Sequence, residues 1–183
     1  MTAVFTAVQR FDPDDGDRWR DYIHWSGLTH LREVVSLDFL LCPNCIGDLV
    51  PEDWEYNVQE DFRLHLFRDA GYVCHRTQGK DRVQILALMQ NPTEDDLSTF
   101  TDSRFQFCGF DLVELQTGIS ALVNCGGFDK AFLAIDLSDC GLLPEFSKAS
   151  EVQKRLRSEY PEEPHANCDM WAIWKMGAGH EVT

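Results

Sequence analysis

The 183-residue chain is 44% hydrophobic and 11% aromatic, enough apolar material for one globular domain over residues 1–183 and too much for a disordered chain. Its net charge of −15 repels nucleic-acid phosphates and anionic lipid, and no apolar run approaches the roughly 18 to 20 residues of a membrane span. Seven cysteines, an odd count, behind an N-terminus without a secretory signal pattern predict reduced thiols and a cytoplasmic location rather than a disulfide framework.

Val4 to Phe11 is rich in β-formers and predicts a first strand. The run Asp12-Pro13-Asp14-Asp15-Gly16-Asp17 makes a turn and sets acids at the positive end of a following helix. A calcium loop is excluded, because its sixth and twelfth positions, Gly and Glu in the pattern, fall on Asp17 and Ile23. Trp19, Tyr22, Ile23 and Ser26 recur at helical spacing, so Asp17 to Trp25 predicts an amphipathic helix ending near Gly27. Leu28 to Val35 reads as a helical turn followed by extended chain. A helix is predicted after Pro51, from the stripe Trp54, Val58, Phe62 and Leu66, with Glu52, Asp53 and Glu55 at its start and Gly71 beyond its end.

Tyr72 to Thr77 and Arg82 to Gln90 read as two strands around the turn Gln78-Gly79-Lys80-Asp81. The nearly continuous apolar run Val83 to Met89 predicts a central strand covered on both faces. Asn91 to Ser103, with Glu94, Asp95 and Asp96, is a surface loop. Phe105 to Leu115 and Ile119 to Val123 are strands joined by Gln116-Thr117-Gly118, and Arg104 to Leu137 is expected at the centre of the sheet. In Pro144 to Tyr160 the stripe Phe146, Ala149, Val152, Leu156 and Tyr160 predicts a helix that Pro161 stops, and Met170 to Met176 returns as a strand. No internal repeat or linker divides the chain. The order predicts an α+β fold: a largely antiparallel sheet of about five to seven strands with helices on one face and at the ends.

Cys42-Pro43-Asn44-Cys45 has zinc-ligand spacing, and His165-x-x-Cys168 or Cys74-His75 are the candidates to complete a site; the alternative is a pair of buried structural thiols. Redox use of the pair requires a strand before it and a helix after it, and Ile46-Gly47-Asp48 promises no helix. Asn124-Cys125-Gly126-Gly127 places a thiol at a glycine corner, a candidate nucleophile or ligand site, but none of the six histidines is tied to it by sequence. The structural alternative is a glycine turn with Cys125 packed as a small apolar residue. Asp111 and Glu114 interrupt an apolar strand; solvent-facing placement is expected, and an inward carboxylate would have a raised pKa suited to acid–base work. The phosphate-binding, zinc-protease and serine-hydrolase motifs are absent. The five tryptophans are expected mainly in the core.

Two blocks, Gly109 to Phe128 and Glu159 to Trp174, resemble segments of small uncharacterised bacterial proteins. By size, acidity and tryptophan content the chain resembles, as a class, the immunity proteins of bacterial toxin systems, which mask a toxin's active surface. That resemblance implies an interaction module that binds a basic partner such as a toxin; no cofactor is expected, and an enzyme is kept as an alternative. The expected contact residues are Asp14, Asp15, Asp17, Glu52, Asp53, Glu55, Tyr56, Glu94, Asp95 and Asp96: carboxylates around an aromatic anchor. The alternatives are a thiol-dependent enzyme or small-ligand protein using Cys125, and a domain stabilised by zinc through Cys42 and Cys45.

Overall fold

A computed structural model describes residues 2–46, 57–61, 64–114 and 116–177, in which seven strands form one antiparallel sheet. In chain order the elements are β1 (Val4–Gln9), α1 (Asp17–Ser26), β2 (Asn57–Asp61), β3 (Leu64–Phe67), α2 (Ala70–Thr77), β4 (Val83–Gln90), α3 (Glu94–Leu97), β5 (Phe105–Glu114), β6 (Ile119–Ser120), α4 (Phe146–Glu159) and β7 (Asp169–Met176). The strand order is β2-β3-β1-β4-β7-β5-β6. The fold is therefore α+β, and no helix of the described residues is long and apolar enough to cross a membrane.

The expected central strand is central. β4 pairs along its length with β1, from Val4 opposite Leu88 to Gln9 opposite Val83, and with β7 on the other side. Gln84 to Met89 are all buried, as a near-continuous apolar run requires. β7 lies between β4 and β5, pairing with both. α1 ends where Gly27, at φ +70°, donates its N–H to the Ile23 carbonyl. α4 buries Ala149, Val152 and Leu156 completely.

The sheet's two faces can be separated by register. Phe110 of β5 lies opposite Ala172 of β7 and its ring meets Phe146 of α4 at 5.9 Å. Cys74 of α2 touches Met176, four residues from Ala172 and so on the same face. The helices α2 and α4 thus share one face. The alternate residue Asp111 points the other way, toward Ser36 and Ser120. That second face is covered by α1 and by residues 28–46 and 121–143, which form almost no regular structure. Leu28 to Val35 is a turn followed by extended chain, with Val34 bridging to Phe11.

Several expectations are corrected. Val58 and Leu66 lie on the strands β2 and β3, which pair with each other, and not on a helix. A spacing of four residues is a multiple of two as well as about one helical turn, so that stripe fits either period; Leu64 and Leu66 are buried while His65 between them is less so. Pro51, Trp54 and Phe62 lie outside the described residues. Tyr72 to Thr77 is helical, because Asp69 caps Gly71 N–H at 2.8 Å and Ala70, Val73, Cys74 and Thr77 form a buried helical stripe. The polar loop after β4 contains α3, closed by a capping box between Thr93 and Asp96. β6 is only two residues long, and Arg104 to Leu137 sits toward an edge, since β5 is sixth of the seven strands.

Candidate functional site

The most concentrated polar chemistry lies on the second face, where the sequence leads one to expect solvent. Asp111 is fully buried and Glu114 nearly so, which corrects their expected surface placement. Asp111 Oδ1 accepts from the Ser120 hydroxyl at 2.6 Å and from Leu112 N–H at 2.8 Å. Its Oδ2 accepts from the Ser36 hydroxyl at 2.5 Å and Leu37 N–H at 3.3 Å. Asp38, also fully buried, accepts from Leu40 and Leu41 N–H through Oδ1 and from Ser120 N–H through Oδ2. The Asn124 amide donates to both oxygens of Asp38, at 3.1 and 3.0 Å.

Burial pushes the Asp111 carboxyl up to about 6; the Ser120 and Ser36 hydroxyls oppose the shift, and the Asp38 charge adds to it. Burial also raises Tyr22, whose hydroxyl donates to the Val123 carbonyl at 2.7 Å, and Cys42. Every oxygen of the two aspartates is engaged by protein donors. With all four oxygens so engaged, the pair braces residues 36–42 against β5 and the 119–124 corner.

That brace holds one wall of a groove. Asn124, tied to Asp38, opens onto a cavity of about 520 Å³ lined also by Trp25, Leu122, Cys125, Phe132 and Ala134. None of its lining residues is charged. Trp25 is 65% exposed, and Leu133 and Ile135, beside the lining residues Phe132 and Ala134, are 57% and 81% exposed. Trp25 therefore departs from the core placement expected of the tryptophans, whereas Trp19, Trp171 and Trp174 are buried. The thiol of Cys125 is raised by burial and then by the charges of Asp38 and Glu163. Both charges are negative and oppose the thiolate that a nucleophile needs.

The remaining predicted residues are scattered. The Arg82 guanidinium meets Asp12 and Asp15 at 2.8 Å and Asp14 at 3.3 Å, while Asp17 pairs with Arg20. Asp15 is thus committed internally, and Asp14 and Asp17 stay exposed. Glu94, Asp95 and Asp96 form α3, and Asp96 accepts from Thr93. Residues 12–17 flank the start of β4 and α3 follows its end, so a strand of about 23 Å separates the two acidic groups. Glu52, Asp53, Glu55 and Tyr56 lie outside the described residues.

Cys42 is buried with its thiol directed to the Val34 carbonyl, and Cys45 directs its thiol to the Pro43 carbonyl. Cys168 is fully buried beneath α4, where Gln153 bonds its carbonyl. His165 is buried against Phe128, and burial lowers its pKa. The described residues bring no three His, Cys, Asp or Glu side chains together in a group that could hold a metal ion. No catalytic motif in the sequence marks Ser36 or Asp38, and Trp25 is expected in the core. The available signals were a lone Asp inside Phe110-Asp111-Leu112-Val113 and the short Ser36-Leu37-Asp38 turn pattern. Comparison with protein-family models, with curated proteins and with solved structures finds no match to this chain.

Proposed function

We propose that the protein is an interaction module of the inhibitory or immunity type, which binds and masks a basic protein partner through the groove walled by Trp25. The observation that carries this reading is the uncharged groove with an exposed tryptophan and the neighbouring exposed Leu133 and Ile135, on a chain of net charge −15. An exposed aromatic beside aliphatic side chains is the composition of an interface anchor, and the overall negative field favours encounter with a basic surface. The elevated thiol of Cys125 favours this reading over a thiol-dependent enzyme.

The test is co-expression with the protein encoded beside this chain's gene, with growth and complex formation measured together. A basic, growth-inhibiting neighbour should be neutralised and should co-purify, with an on-rate that falls as salt rises from 50 to about 500 mM. Trp25→Ala should weaken the complex about thirtyfold, since an anchoring Trp contributes roughly 2 kcal/mol or more. An unrelated basic protein serves as the control for steering alone. No complex with the neighbour at low salt, or equal binding by wild type and Trp25→Ala, would overturn the reading.

A second use of the groove is favoured by its volume of about 520 Å³, which falls in the range of small-ligand pockets. A small apolar ligand would quench Trp25 fluorescence saturably without regard to salt, which separates it from a charged partner.

A further inference from the structure

We propose that Cys108 and Cys140 form an oxidisable dithiol, which a hydroperoxide converts to a disulfide across the bulge in β5. This inference goes beyond the partner-binding reading and does not depend on it. Cys108 occupies the bulge where the register of β5 against β7 slips between Phe107 and Gly109, and it is partly exposed. Cys140 stands in the turn of residues 138–142, held by bonds from Gly141 N–H to the Ser138 carbonyl and from Ser138 N–H to the Leu142 carbonyl. The two segments are clamped by reciprocal bonds between Phe110 and Leu143 at 2.8 and 3.0 Å.

Two glycines allow the approach. A Cβ at Gly109, whose φ is +136°, would stand 2.7 Å from the Leu143 carbonyl oxygen, and one at Gly141, at φ +82°, would stand 2.6 Å from Val123. The result is that Cys140 Sγ lies 4.0 Å from the Cys108 carbonyl oxygen and 3.2 Å from the Ser138 hydroxyl, while the Cys108 thiol turns to the Gln106 carbonyl at 3.5 Å. Cys140 is the one cysteine of the seven with a lowered pKa. The neighbouring Cys108 thiol is the first cause of the lowering, burial opposes it, and the Ser138 hydroxyl lowers it further. Cys42, Cys45, Cys74, Cys125 and Cys168 are all raised, in each case first by burial. Cys108 is raised where Cys140 is lowered, and Cys108 is partly exposed where Cys140 is buried, so the two act as a pair: Cys140 carries the thiolate character and Cys108 the access.

The chemistry closes with a hydroperoxide as the oxidant. The Cys140 thiolate attacks one peroxide oxygen, the O–O bond breaks, and the leaving alkoxide or hydroxide takes up the proton Cys140 released. Cys140 is then a sulfenic acid. The sulfur of Cys108 attacks it, the S–S bond forms, the S–O bond breaks, and water leaves with the proton of Cys108. Two thiols are oxidised and one hydroperoxide is reduced to an alcohol and water, or to two waters for hydrogen peroxide. The disulfide would close the loop from residue 108 to residue 140, which carries Cys125, Phe132 and Ala134 of the groove.

The experiment treats the folded full chain with one equivalent of hydrogen peroxide, blocks the remaining thiols and maps the peptides. The expected result is a Cys108–Cys140 linked peptide with two hydrogens lost, the other five thiols being alkylated. In Cys108→Ser the sulfenic acid at Cys140 has no partner and should be trapped by dimedone. In Cys140→Ser peroxide consumption should slow at least about tenfold. Oxidation spread over Cys45 and Cys125 without the linked peptide would overturn the proposal, as would unchanged consumption by a folded Cys140→Ser. If either variant fails to fold, the wild-type peptide map alone decides.

Discussion

The two faces of the sheet are covered by different means. On one, α2 and α4 lie on apolar residues; their backbones are satisfied internally, and their stripes of Val73, Ala149, Val152 and Leu156 are buried. On the other, residues 28–46 and 121–143 are mostly irregular, so their N–H groups lack ladder partners. Scattered backbone carbonyls take part of that place, as in Val35 N–H to the Cys140 carbonyl, and side-chain oxygens add to them. Asp38 and Asp111 accept from five backbone N–H groups, two hydroxyls and the Asn124 amide. The helical face is therefore stabilised by burial and tolerant of polar change at its rim. The irregular face depends on a few acceptors, and the groove inherits its shape from them.

The largest expected effect strikes the irregular face. Asp38→Ala leaves three N–H groups and the Asn124 amide without an acceptor and should cost about 4 kcal/mol in urea unfolding. A loss below about 1 kcal/mol would show that water replaces the brace and would erase the contrast. On the helical face, Leu156→Ala should cost about 3 kcal/mol by leaving a cavity, with no change in groove binding.

The Asp111 carboxyl supplies a pH test of similar size. Its folded pKa of about 6 lies above the ordinary 3.8, so the folded state holds the proton more tightly. The stability this group contributes is full below about pH 4 and is lost as pH rises through 6, by up to about 3 kcal/mol. The wild-type stability minus that of Asp111→Asn should fall across this window; a flat difference would mean that donors, not burial, govern the site.

Smaller effects follow at the bulge and the groove. Gly109→Ala should cost about 2 kcal/mol, through strain at φ +136° and the Leu143 carbonyl in its path, read as a lower melting midpoint. Trp25→Ala should change stability by less than about 0.5 kcal/mol while weakening partner binding, because this side chain is already in water.

Legibility in the sequence followed the same division. β4, β7, α1 and α4 were readable because each carries an uninterrupted period and an end signal, as in Val83 to Met89 or the stripe stopped by Pro161. The hairpin of β2 and β3 was hidden by a four-residue spacing that serves both periods. α2 was hidden because its stripe begins at Ala70, before the β-like run Tyr72 to Thr77. The groove was half legible: Asn124-Cys125-Gly126-Gly127 was marked as a corner, but Trp25 and Asp38 join it from distant parts of the chain. Sequence spacing carries no record of such meetings. The carboxylate at Asp111 was visible as an interruption, and its burial followed only from the loop that supplies Ser36.

The position of β7 between β4 and β5 has a consequence for biosynthesis. β7 begins at Asp169, 55 residues after β5 ends at Glu114 and 79 after β4 ends at Gln90, so both strands wait for a partner made later. At translation rates of roughly 5 to 20 residues per second, two unpaired edges stand open on the nascent chain for several seconds. Until the last strand slides between them the two halves of the sheet cannot join, and a chain released before Asp169 should emerge as aggregate, with chaperone dependence concentrated in that interval.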